Sequence, residues 1–126
     1  MREFKQLTRA EFQIMSILWN LPKQSGFTSD ILLKFEEPKP AYTTLATFLK
    51  ILADKGYVRF KKKESKLFYT AAVSQEKYAD IYFEPVKDTF FHGSFVEMME
   101  YLLGRETLSH EEAQQLIDLI HEKQNM

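Results

Sequence analysis

The chain has 126 residues, 44% of them hydrophobic and 28% charged, which is the composition of one globular domain or of a small domain with a dependent tail. It contains no cysteine, which excludes a disulfide scaffold, a thiolate nucleophile and a cysteine-based zinc or copper site. No apolar run reaches the roughly 18 residues of a membrane span, and residues 1–8 carry no hydrophobic signal, so the sequence predicts a cytoplasmic protein without membrane contact.

The charge is distributed unevenly along the chain. Residues 1–73 hold 13 Lys and Arg against 7 Asp and Glu, a balance of +6, and residues 74–126 hold 4 against 11, a balance of −7. These sum to the net charge of −1. Such an asymmetry is either a fluctuation of surface charge or a sign of two functions, with a polyanion as partner of the basic half. We predict two domains with these boundaries.

The basic half begins with two predicted helices. Thr8 and Glu11 have the spacing of a capping box, which opens a first helix that ends near Pro22. A short second helix follows, capped by one of the polar residues 28–30 and closed by the prolines of segment 38–40.

A third helix is predicted from Ala41 to Lys55, with Gly56 as its C-terminal stop. Two β-favouring segments, residues 57–60 and 66–70, then flank a lysine-rich connection and indicate a hairpin with a basic tip. Three helices followed by a hairpin is the arrangement of a winged helix-turn-helix domain. The predicted fold class is therefore mainly α with a small β-hairpin.

The acidic half is predicted to be helical. One helix covers about residues 75–91, where Pro85 is expected to kink or break it. Capping boxes at Ser94 and Ser109 open two more helices, the first of which is expected to end at Gly104.

This half has more large apolar residues than three short helices can bury. A second copy of the chain would cover them with a two-fold interface suited to a palindromic operator, and packing against the chain's own first domain is the alternative. The residues predicted for the dimer interface are Tyr78, Tyr82, Phe90, Phe91, Phe95, Met98, Met99 and Leu102.

The predicted third helix has two faces. The residues at core spacing are Leu45, Phe48, Leu49 and Leu52. The opposite stripe is small, polar and free of acidic residues, and consists of Thr43, Ala46, Thr47 and Lys50. Such short side chains let a helix approach base edges in the major groove, where hydroxyl and methyl groups contact bases. The alternative is an ordinary solvent-exposed face, which typically carries Glu and Lys.

The hairpin is rich in cations, with Glu64 as its single acidic residue between positions 57 and 71. A basic β-ribbon beside a recognition helix can lie along the phosphate backbone, which adds affinity without sequence information. The residues predicted to contact phosphate are Lys50, Arg59, Lys61, Lys62, Lys63 and Lys66. The residues predicted to anchor the strands to the core are Tyr57, Phe60, Leu67, Phe68 and Tyr69.

Several segments resemble the penicillinase-repressor family over nearly the whole chain. They are Leu7–Glu11, Tyr42–Leu49, Lys55–Val58, Phe91–Phe95 and Leu108–Ser109. The resemblance implies a homodimeric bacterial repressor with an N-terminal winged-helix DNA-binding domain and a C-terminal helical dimerisation domain. It implies double-stranded DNA, a second copy and a sensor protein or protease as partners. It places the family's base-contacting positions on Thr43, Thr44, Ala46 and Thr47.

The chain departs from this family at several positions. Members often carry Arg where this chain has Ile51, and some carry Arg in place of Ala46, so the base contacts and the operator are expected to differ. The Asn-Phe bond at which some members are cleaved corresponds to Tyr101-Leu102, and the chain has no Asn-Phe dipeptide. The cysteine cluster of the copper-responsive members is absent.

No enzyme motif is present. The three histidines, at positions 92, 110 and 121, lack the spacing of a metal site, and with four glycines there is no phosphate-binding loop. We predict no catalytic residue, no metal and no cofactor. The remaining alternative to a DNA-binding repressor is a winged-helix protein–protein interaction module whose basic face binds an acidic partner.

Overall fold

A computed structural model describes residues 5–125. The helices are α1 (Arg9–Trp19), α2 (Thr28–Leu33), α3 (Tyr42–Asp54), α4 (Gln75–Phe91), α5 (Phe95–Arg105) and α6 (His110–Gln124). The strands are β1 (Ser25–Phe27), β2 (Val58–Lys63) and β3 (Lys66–Ala71). Contacts divide the chain into two compact units, one through Phe83 and one from Glu84 onward, so α4 begins in the first unit and ends in the second.

The first unit encloses one apolar core between its helices and its sheet. The side chains with almost no solvent exposure are Met15, Leu18, Ile31, Leu45, Leu49, Leu52, Tyr57 and Tyr69. Three of the four residues predicted for the core face of α3 are among them, and Phe48 lies half-buried at the edge. The predicted end of α3 at Gly56 is confirmed. Gly56 has a φ of +88°, a conformation that glycine adopts without strain because it has no Cβ.

The predicted capping box at the start of α1 is confirmed. The Thr8 amide donates to Glu11 Oε1 over 2.9 Å, and the Glu11 amide donates to Thr8 Oγ1 over 3.3 Å. Lys55 Nζ also donates to both carboxylate oxygens of Glu11, over 2.9 and 2.7 Å. Burial alone would raise the pKa of Glu11, but the hydrogen bonds from Lys55 and Thr8 outweigh burial and hold the pKa below 4.5. An ion pair between the buried Glu11 carboxylate and the partly exposed Lys55 ammonium therefore connects the start of α1 to the end of α3.

Helix α2 begins differently from the prediction. Phe27 occupies the N-cap position, and Asp30 reaches back from the first turn to accept the Phe27 amide over 2.8 Å. Thr28 is buried inside the helix, so it is not the cap. At the other end, Lys39 Nζ donates to three main-chain carbonyls over 2.7–3.1 Å, which caps α2 and holds the turn that leads into α3.

The sheet has the antiparallel order β1-β3-β2. The predicted hairpin of β2 and β3 is confirmed, whereas β1 was not predicted. In β1, Ser25 pairs with Thr70 and Phe27 with Phe68. A three-residue segment that contains a glycine has almost no β-propensity that the sequence could reveal. It forms a strand because it pairs with β3.

The lysine-rich segment predicted as a connection belongs to strand β2. Lys61, Lys62 and Lys63 all pair with β3, and only Glu64 and Ser65 form the turn, both with positive φ. A two-residue loop with positive φ at both positions matches the right-handed twist of the flanking strands. The cations therefore stand on ordered strand positions.

Helix α4 contributes Tyr78 to the core of the first unit. Its side chain is 4% exposed, and its hydroxyl accepts the Leu7 amide over 2.9 Å. Its ring centroid lies 5.8–5.9 Å from the rings of Phe12, Trp19 and Tyr57. The assignment of Tyr78 to the dimer interface is therefore corrected, because this side chain is enclosed by its own chain. Because Tyr78 packs in this core, the first unit extends to Phe83, beyond the boundary predicted at residue 73.

Helix α4 is not broken at Pro85, although proline donates no amide hydrogen there. Helix α5 ends at Arg105, one residue beyond the predicted end at Gly104.

The predicted capping box at Ser94 forms only in part. Ser94 Oγ accepts the Glu97 amide over 3.1 Å, but the Glu97 carboxylate contacts His92 Nδ1 over 3.1 Å instead of the Ser94 amide. The box at Ser109 that opens α6 is complete.

The second unit lacks a core of its own. Between residues 84 and 125 no side chain is buried. Its exposed large hydrophobic residues are Phe90, Phe95, Val96, Tyr101, Leu102, Leu103, Leu116, Ile117, Leu119 and Ile120. Short helices depend on burying an apolar face for most of their stability. This unit therefore needs a surface that covers it.

Candidate nucleic-acid interface

The solvent-exposed face of α3 carries most of the residues predicted to contact bases. The exposed members are Thr43, Thr44, Thr47 and Lys50. Ala46 is half-buried, and Ile51, 38% exposed, extends the face by a turn. No acidic residue occurs between Tyr42 and Ala53. Short hydroxyl side chains with a cation at one end have the chemistry needed to contact base edges and a nearby phosphate.

Thr47 already uses one of its hydrogen-bonding groups. Its Oγ1 donates to the Thr43 carbonyl one helical turn earlier, over 3.0 Å. The hydroxyl hydrogen is thus occupied, while the lone pairs and the methyl group remain exposed. In this rotamer Thr47 can accept from an exocyclic amine of adenine or cytosine or touch a thymine methyl.

The register of the hairpin places its cations on two faces. Directly opposed residues in an antiparallel pair point to the same side of the sheet. The residues that share one side, which we call the cationic face, are Arg59, Lys61, Lys63 and Lys66. Lys62 lies on the other side together with Val58 and Tyr69, which are 3% and 1% exposed and pack on the core. The six predicted phosphate contacts are therefore not equivalent.

Aromatic rings support the cationic face. Lys63 Nζ lies 4.0 Å from the centroid of the Phe68 ring, and Phe27 meets Phe68 edge-on at 5.0 Å. The prediction that Phe60 anchors β2 to the core is wrong, because the Phe60 side chain is 55% exposed. Phe60 is paired with the buried Tyr69, and their ring centroids lie 5.9 Å apart.

Helix α3 packs against β2, so this helix and the hairpin are neighbours in the first unit. Sequence reasoning found the residues of both surfaces. It did not separate Lys62 from the cationic face, because that separation depends on the register of the hairpin.

The residues predicted for self-association fall into three groups. Exposed members are Tyr82, Phe90, Phe95 and Leu102, half-buried members are Phe91, Met98 and Met99, and Tyr78 belongs to the core. Within the second unit, α5 and α6 form an apolar groove of about 460 Å³ whose walls include Leu103, Leu116 and Leu119.

Neither a membrane span nor a metal cluster is found in the part of the chain that the structure describes. No helix there is both long and apolar enough to cross a bilayer. Likewise, residues 5–125 contain no group of three or more His, Asp or Glu side chains arranged to hold a metal ion.

Comparison with known proteins identifies the family. The profile of the penicillinase repressor family matches residues 7–122. The chain belongs to this family. Its members are transcriptional regulators rather than enzymes. The resemblance drawn from the sequence is thereby confirmed.

Two relatives illustrate the similarity. The penicillinase repressor of Bacillus licheniformis is 24% identical over 127 residues, which cover 99% of this chain and 97% of that protein. The crystal structure of the transcriptional regulator SlyA is 22% identical, with a TM-score of 0.40 over 94% of this chain and 75% of that one. The winged-helix assignment rests on the element order and sheet register described above.

Proposed function

We propose that this penicillinase repressor relative represses transcription as a homodimer on a palindromic operator in the cytoplasm. Two observations support DNA binding: the acid-free, hydroxyl-rich exposed face of α3, and the cationic side chains of the hairpin whose strand β2 packs against the same helix. In this proposal α3 enters the major groove and reads bases, while the hairpin neutralises phosphates.

Self-association is supported by the second unit. None of residues 84–125 is buried, and ten large hydrophobic side chains there are exposed. A second copy would cover these faces and present two copies of α3 to two half-sites. The excess of acidic residues after position 73 suits a segment that stays away from the phosphate backbone.

A gel-shift series with the full chain tests the proposal. At low salt we expect binding to any duplex, and at physiological salt we expect selective binding to the promoter of the chain's own gene. Absence of a shift on both duplexes would contradict DNA binding and favour the acidic-protein partner. A shift equal on both duplexes at all salt concentrations would contradict a specific operator.

Replacing Thr47 tests whether α3 reads bases. Thr47→Ala is expected to weaken binding to the operator by about 1–3 kcal/mol while leaving random duplex unaffected. Thr47→Val is the matched control, since it keeps a methyl group and removes the hydroxyl. If Thr47→Val behaves as wild type while Thr47→Ala loses affinity, the contact is through the methyl group. Equal losses on operator and random DNA would show that Thr47 does not read bases. Fluorescence anisotropy on both duplexes measures these differences.

The two faces of the hairpin predict different salt dependences. Lys61→Gln/Lys63→Gln is expected to lower affinity for every sequence and to reduce the slope of log K against log salt by about 1.8, or about 0.9 per phosphate contact. Lys62→Gln, on the other face, is expected to change the slope by less than about 0.9. Titrations between low and high salt measure the slopes. A change carried by Lys62 alone would show that the opposite face of the hairpin meets DNA.

A further inference from the structure

An apolar groove lies between the start of α1 and the first half of α4, with all of its lining residues in the first unit. Its volume is about 410 Å³. The side chains that matter for its chemistry are Arg9, Phe12, Trp19, Tyr78, Tyr82 and Phe83. None of them belongs to α3 or to the hairpin, so the groove is separate from the surface assigned to DNA.

The floor and the walls of the groove are aromatic. Trp19 and Tyr78 form the floor, at 6% and 4% exposure, with ring centroids 5.8 Å apart. Three rings form the walls and remain open to solvent: Phe12 is 46% exposed, Tyr82 45% and Phe83 54%. Aromatic rings held around a concave space offer both faces and edges to a flat ring placed between them.

The polar groups of the floor are already engaged. Trp19 Nε1 donates to the Val73 carbonyl over 2.9 Å, and the Tyr78 hydroxyl accepts the Leu7 amide over 2.9 Å. The interior of the groove therefore favours an apolar ligand body.

The lining carries a single charge. Arg9 is its one charged side chain, and no carboxylate lines the groove. Arg9 is exposed and forms no ion pair within residues 5–125. A guanidinium matches the planar, bidentate geometry of a carboxylate. The charge of the lining therefore favours one anionic group on the ligand.

We propose that this groove binds a small planar aromatic molecule that carries one carboxylate. The ring lies against Phe12, Tyr82 and Phe83, and the carboxylate meets Arg9. The volume is that of a small-molecule site with mostly apolar walls and few polar groups. Helix α4, which carries Tyr82 and Phe83, continues into the second unit. The ligand thus contacts the helix that both units share.

Trp19 makes the proposal directly testable because it is the only tryptophan in the chain. Its indole N–H gives one resolved NMR signal from the floor of the groove. The probes are 2-naphthoate, the uncharged 2-naphthylmethanol and the cationic 2-naphthylmethylamine, titrated into the ¹⁵N-labelled full-length chain. We expect the Trp19 signal to shift with all ring probes, and naphthoate to bind about threefold to fivefold more tightly than the alcohol, the range of an exposed ion pair. The amine is expected to bind most weakly.

Two variants and a control assign the contacts. Arg9→Gln is expected to remove the advantage of naphthoate over the alcohol without weakening the alcohol. Phe83→Ala is expected to weaken both by about threefold to tenfold, the range of one aromatic contact. Leu33→Ala is the control, because Leu33 is an exposed apolar side chain of the first unit, on α2 and outside the groove. It is expected to leave both affinities unchanged.

Several outcomes overturn the proposal. A Trp19 signal that stays in place up to millimolar naphthoate excludes the site, and equal affinity of the three probes excludes the role of Arg9. If Phe83→Asp converts a dimer into a monomer, a second copy of the chain covers the groove instead. None of these results depends on DNA, so the ligand site and the repressor function fail or stand independently.

Discussion

Replacing Leu102 by aspartate is expected to convert the proposed homodimer into a monomer. Leu102 is 46% exposed on α5, in a unit whose described part buries no side chain, so a dimer interface is expected to enclose it. A carboxylate placed there loses its hydration without gaining a partner. Loss of the dimer removes the second half-site, and operator affinity is expected to fall by about 10²–10⁴-fold. Phe95→Asp, on the same helix, is expected to have the same effect.

Sedimentation at micromolar concentration measures the change in oligomeric state. Leu33→Asp is the matched control, since Leu33 is 74% exposed on α2 in the first unit and is expected to leave the dimer intact. Dissociation by Leu33→Asp, or a wild-type chain that is monomeric, would contradict dimerisation through the second unit. A folded, monomeric fragment ending at Phe83 would support it further.

Replacing Lys55 by methionine is expected to lower the free energy of unfolding by about 3–5 kcal/mol, the cost of leaving a buried carboxylate without its counter-charge. The Glu11 side chain is 3% exposed and would keep its hydrogen bonds with Thr8 but have no counter-charge. Urea denaturation at neutral pH measures the loss.

Glu11→Gln is the matched control for this pair. Its amide oxygen can still accept the Thr8 amide, and the Lys55 ammonium, with 32% of its side chain exposed, can turn to water. We expect a smaller loss, about 1 kcal/mol. The double variant is expected to be more stable than Lys55→Met alone, since it removes the unpaired charge. A double variant as unstable as the sum of both single changes would contradict this coupling.

The Glu11–Lys55 pair predicts that the free energy of unfolding depends on pH differently in the wild type and in Lys55→Met. In the wild type the pKa of Glu11 is lowered, so the stability that Glu11 contributes is present above pH 4.5 and is lost as the pH falls through the lowered value. In Lys55→Met the contributions of Lys55 that lower the pKa of Glu11 are lost while burial still raises it, so the loss of stability on acidification is expected to weaken or reverse. Urea midpoints between pH 7 and pH 4 measure the two slopes. Parallel slopes would show that Glu11 remains charged without Lys55.

Much of the fold could be predicted from sequence signals that involve residues close together in the chain. The capping boxes at Thr8 and Ser109 each consist of two residues three positions apart. The end of α3 at Gly56 requires only a residue without Cβ, which can adopt a positive φ. The two faces of α3 follow from the 3.6-residue period, which depends on nothing outside the helix. The exposed hydroxyl side chains of α3 and the cationic residues of the candidate interface could therefore be predicted from the sequence.

Contacts between residues that are distant in the chain could not be predicted from such local signals. Strand β1 exists because β3 offers it a free edge, and Lys62 is separated from its neighbours by the register of the same sheet. The Glu97 carboxylate contacts His92 rather than closing the box at Ser94, a competition that spacing alone does not reveal.

The sequence by itself determined the winged-helix order of elements, the exposed, acid-free face of α3 and the family, because each depends on residue types at short, fixed spacing. Only the tertiary structure decided that Tyr78 belongs to the core, that Glu11 pairs with Lys55, and that residues 84–125 contain no buried side chain. These properties depend on which surfaces meet across the fold. An apolar residue looks the same in the sequence whether its own chain encloses it, as for Tyr78, or leaves it exposed, as for Leu102.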